Sequence, residues 1–92
     1  MSGGYWEYKQ YEFQRIADDI DAMIMTDDGA FSEETLLKFK NAEYYMRMAF
    51  VFANAIDYLL SDDYSEKSFH EVVDYKIKEH DEAFRRKLKE TK

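Results

Sequence analysis

The residues best suited to chemistry lie at the start of the chain. Ser2-Gly3-Gly4 runs into Tyr5, Trp6, Tyr8 and Tyr11, four aromatics in seven residues, with Lys9 among them. Glycines beside a helix N-terminus expose backbone N–H groups that can hold an anion. Rings of this kind stack on a base for roughly 1–3 kcal/mol each. Gly3, Gly4, Tyr5, Trp6, Tyr8, Lys9 and Tyr11 therefore form the candidate ligand-binding set, with a nucleotide-type small molecule as the ligand. The competing reading is packing, with Trp6 and one or two tyrosines set against the second helix or a second subunit.

A second constellation is Glu66, His70 and Asp74, at i, i+4 and i+8 with Glu71 alongside. Such spacing puts three ligands on one side of a helix, where a metal can sit. The two-histidine spacing of zinc helices is absent. With His80, these residues are all that a small metal-dependent hydrolase could use, and that is a remote alternative. His80 stands in the apolar stripe between Ile77 and Phe84, where a hydrogen-bonded structural imidazole is expected. Asp27-Asp28-Gly29 lacks the alternating acids of a calcium loop. The chain has no cysteine nucleophile, glycine-rich phosphate loop or serine elbow. No catalytic residue, resident metal or cofactor is expected.

The elements that position these residues follow from periodicity. The chain has no proline and three glycines, so Gly29 marks a break. Before it, Phe13, Ile16, Ala17, Ile20, Met23 and Ile24 recur every three or four residues, which predicts a helix over roughly 6–25. Ser32 followed by Glu33 and Glu34 reads as a cap, and two apolar rows then run side by side to Leu60. This predicts a central helix over 33–60 with neighbours on both sides and with Ala49, Ala53 and Ile56 buried. Arg47, Asn54 and Asp57 interrupt its apolar run, which argues against a membrane span. After Ser61-Asp62-Asp63-Tyr64, the stripe Phe69, Val72, Val73, Ile77, Phe84 and Leu88 predicts a third helix over 66–89. The expected fold is all-α, one antiparallel three-helix domain spanning residues 1–92.

Ninety-two residues give a thin core. With no cysteine for disulfides, self-association into a homo-oligomer is the expected route to stability. Aromatics at 17 per cent exceed what such a core needs, so some are expected at an interface. A net charge of -7 disfavours polymeric nucleic acid, whose binding is driven by Lys and Arg. Residues 83–92 reverse the trend at a net +4, which suits the C-terminal end of a helix dipole. The opening shows no charged stretch followed by an apolar run, so no secretory signal and a cytoplasmic address are expected.

The opening Met1-Ser2-Gly3-Gly4-Tyr5-Trp6-Glu7-Tyr8-Lys9-Gln10-Tyr11, with Asp57-Tyr58-Leu59-Leu60-Ser61 and Ser65-Glu66-Lys67-Ser68-Phe69-His70, resembles a group of small helical proteins of phages and prophage-bearing bacteria. That group has no assigned activity. The chain departs from its pattern after His70, where Glu71-Val72-Val73 stands in place of basic residues. The resemblance implies a setting in the cytoplasm of a bacterial host. There, accessory proteins of this size block a host protein, mimic an acidic partner or sequester a nucleotide signal. The expected function is a non-enzymatic anti-defence binding protein directed at a host protein. The alternative is an oligomeric sponge for a nucleotide messenger.

Overall fold

The computed structural model describes residues 4–90. Three helices, α1 (Tyr11–Met25), α2 (Glu33–Leu60) and α3 (Glu66–Glu90), account for most of them, and no strand is present among the described residues. The start of α2 is set by Ser32, whose Oγ accepts the Thr35 amide at 3.2 Å while Glu33 and Glu34 oppose the helix dipole. Ser65 does the same for α3, accepting the Ser68 amide at 3.1 Å. The end of α2 is closed by two reversed bonds, Asp62 N–H to Leu59 O and Asp63 N–H to Tyr58 O, with Asp62 in the left-handed region at φ 65°. This is the Schellman arrangement with an aspartate where glycine is usual.

The first helix begins at Tyr11, not near residue 6 as periodicity suggests. Glu7 and Tyr8 have φ of 56° and 65°, a left-handed conformation that no right-handed helix can contain. Residues 5–10 instead form successive turns, closed by Glu7 N–H to Gly4 O and Lys9 N–H to Trp6 O. This hook folds back along α2.

α1 and α3 each pack along α2 and do not pack on each other. The molecule measures 47 × 24 × 14 Å. Its width matches three helices side by side, about 20–25 Å at ordinary helix separations, and its length is that of α2. A single layer buries little: Ala17, Val51, Ala55 and Val73 are the buried apolar residues among those described. Ala49, Ala53 and Ile56, expected in the core, are only half-buried, because among the described residues neither α1 nor α3 covers that side of α2 and the hook reaches only Ala53, through Trp6. Among the described residues, no helix is long and apolar enough to cross a membrane.

Candidate functional site

Among the described residues, the largest fully buried side chain is a carboxylate, Asp57, 1 % exposed. A buried carboxylate is tolerated only when its oxygens are hydrogen-bonded. The hook supplies the donors: Gly4 N–H reaches Oδ2 at 3.0 Å, Tyr5 N–H reaches Oδ1, and Gln10 Nε2 reaches Oδ2 at 2.9 Å. Gln10 also donates to Asn54 Oδ1 at 3.1 Å, while its own Oε1 is buried without a partner. Burial alone would raise the Asp57 carboxyl. The bonds from Gly4, Tyr5, Gln10 and Ser61 outweigh it and hold the group below its ordinary value. Trp6 adds a further tether, its Nε1 donating to Ala53 O at 2.8 Å.

The clamp decides what the N-terminal residues can offer. Gly4 and Tyr5 do present paired backbone N–H groups, and the anion they hold is the protein's own carboxylate. The rings fall into two sets. Tyr5 and Trp6 meet edge to face at 4.8 Å, whereas Tyr8, Tyr11 and Phe50 run as a chain with centroids 6.5 and 5.3 Å apart. Tyr5, Tyr8 and Tyr11 are all exposed, and Trp6 lies at the edge of exposure. Lys9 extends into solvent with Glu7 3.8 Å away, a pairing of little energetic weight. Gly3 lies outside the described residues.

Between α1 and α3, on one side of α2, runs a groove with two cavities of about 260 and about 310 Å³ that share Arg47 and His80. Phe50 lines the first, so the ring chain leads into it, beside Asn54 and Lys76. A charged strap crosses the second. Glu43, nearly fully buried, accepts from Arg47 Nε at 2.9 Å and from Lys87 Nζ at 2.6 Å. Lys87 continues to Asp21 at 2.6 Å and Arg47 to Asp18 at 3.1 Å. Three helices are thus joined by five side chains. Burial lowers both cations, yet their hydrogen-bonded carboxylates raise both above their ordinary values. Burial and then the Arg47 guanidinium hold the His80 imidazole below its ordinary value. His80 therefore stands beside a cation rather than in a simple apolar stripe. Tyr44, on the same wall, donates its hydroxyl to Asp81.

Glu66, His70 and Asp74 are exposed along α3, and among the described residues no group of three or more such side chains is placed to hold a metal. Asp57 and the Glu43 network were not singled out from sequence. Both left a trace: Asp57 and Asn54 interrupt an apolar run one turn apart, and Glu43 and Arg47 stand at i, i+4. The rings face outward while the groove's main charges satisfy one another, an arrangement suited to contact more than to reaction. No family model, curated protein or solved structure matches the chain.

Proposed function

We propose that this chain is a non-enzymatic helical binding protein whose target is another protein. In the phage setting that the resemblance implies, the target is a host protein of a defence pathway, met in the host cytoplasm. One observation carries this reading: Tyr8 projects from a hook whose backbone is itself clamped by Asp57, and Tyr11 stands beside it at the first residue of α1. Rings held in place before contact spare the cost of ordering them, and tyrosine and tryptophan carry much of the energy of protein interfaces. The net charge of -7 favours approach of a basic partner. The working form is proposed to be a homo-oligomer of antiparallel three-helix chains.

Nucleotide sequestration is the second reading, supported by the path from Tyr11 and Phe50 to a cavity holding Arg47 and Lys76. Against it, the hook amides are engaged by a carboxylate, which repels phosphate. The test is affinity capture from bacterial lysate by wild type and by a Tyr8→Ser/Tyr11→Ser variant of unchanged helicity, with thermal-shift screening against nucleotide second messengers. The expected result is one stoichiometric protein partner that the variant loses. A nucleotide that raises the wild-type Tm but not the variant's would reverse the ordering.

A further inference from the structure

Among the described residues, no helix packs on the side of α2 opposite the groove. At 100° per residue, Tyr45, Ala49, Phe52, Ile56 and Leu60 fall within about 80° of one another, diametrically across from Arg47 and Asn54 of the groove. Tyr45 is 64 % exposed, Phe52 43 % and Leu60 50 %. α1 extends the same face with Met23, 55 % exposed and on the side of α1 away from the groove-lining Asp21. The layer is therefore two-faced, charged on the groove side and apolar on the other.

The area left over matches in size what a second copy would bury. The chain exposes 6608 Å², where a folded monomer of its mass exposes about 5,700 Å². The surplus of about 900 Å² is close to the roughly 800 Å² that each partner contributes to a standard interface. The radius of gyration agrees, 15.3 Å against about 12 Å for a compact chain of this length. The stripe is also self-complementary. Set antiparallel on its own copy about a two-fold axis between Ala49 and Phe52, it places each Phe52 over the small Ala49 of the other chain and each Tyr45 over Ile56. A lipid surface fits poorly, because interfacial helices rely on Lys and Arg toward anionic headgroups and this chain carries -7.

We propose that the open face of α2 closes on a second copy of the chain, α2 against α2, to give a two-fold dimer with both grooves facing outward. This deepens the reading of the working form as an oligomer by naming the surface and the stoichiometry. Multi-angle light scattering on purified wild type, Tyr45→Lys, Ala49→Glu and the groove-side control Lys76→Glu tests it. Wild type and Lys76→Glu are expected at twice 11.1 kDa, and Tyr45→Lys and Ala49→Glu at one chain's mass with helicity retained. Tyr45 is exposed and meets the neighbouring Tyr44 ring edge to face at 5.6 Å, so its replacement disturbs the single chain's packing little. A monomeric wild type at 100 µM overturns the proposal, as does an oligomer that both face variants leave intact. A monomer that floats with phosphatidylcholine/phosphatidylglycerol vesicles, or whose capture of a host protein is lost in Tyr45→Lys, gives the face another occupant and also overturns it. The Tyr8→Ser/Tyr11→Ser variant is expected to remain dimeric, so failure of partner binding and failure of the dimer are separately visible.

Discussion

A carboxylate without water must find donors, and Asp57 finds them more than fifty residues away at Gly4 and Tyr5. Asp57→Asn offers one oxygen and one NH₂ where two amides and the Gln10 NH₂ all donate. It should cost about 2 kcal/mol in urea unfolding and release the hook, seen as a red shift of Trp6 fluorescence. Because the folded carboxyl lies below its ordinary value, its contribution is fully present above that ordinary value and lost as pH falls through the folded one. Wild type should therefore show an acid transition in Trp6 fluorescence that Asp57→Asn lacks. Little of this site was legible in the sequence. Asp57 read as a flaw in an apolar run, since periodicity reports which face is buried and not which distant amide comes to it. The ring cluster was visible, but its division into a Tyr5–Trp6 pair and a Tyr8–Tyr11–Phe50 chain depends on two left-handed residues that no local signal marks.

Helix limits were legible where side chains enforce them. Ser32 and Ser65 accept amides three residues on, and α2 and α3 start where those caps predict. The end of α2 followed from the polar run Ser61-Asp62-Asp63, though not its geometry. Asp62 occupies a left-handed position that glycine enters without steric penalty, so Asp62→Gly should raise stability by about 0.5–1 kcal/mol. Thermal unfolding followed by circular dichroism would register this as a rise in Tm, and a fall would mean that the Asp62 side chain contributes more than its backbone costs. The start of α1 was not legible, because Tyr5 to Gln10 contains no breaker and the tethers that hold it bent, to Asp57, Ala53 and Asn54, are distant in sequence. Burial of Ala49 and Ile56 was misjudged for a related reason: two apolar rows on α2 imply two neighbours without saying that both belong to the same chain.

At the scale of the whole molecule, the order of helices was readable and their arrangement in a single layer was not. In that layer α1 and α3 do not pack on each other, and the Glu43 strap links them across the groove. Glu43→Gln removes the charge shared by two cations and turns an NH₂ donor toward one of them, and should cost about 3 kcal/mol by chemical denaturation. The same geometry bears on cooperativity. Elements that meet only through a common neighbour behave as nearest-neighbour units, as the repeats of a solenoid do. α1 and α3 should then open as separate units from a persistent α2, and native-state hydrogen exchange should resolve two sub-global openings. In Glu43→Gln the two should drift further apart, because the strap by which either helix senses the other's departure is then reduced to the direct Lys87–Asp21 pair.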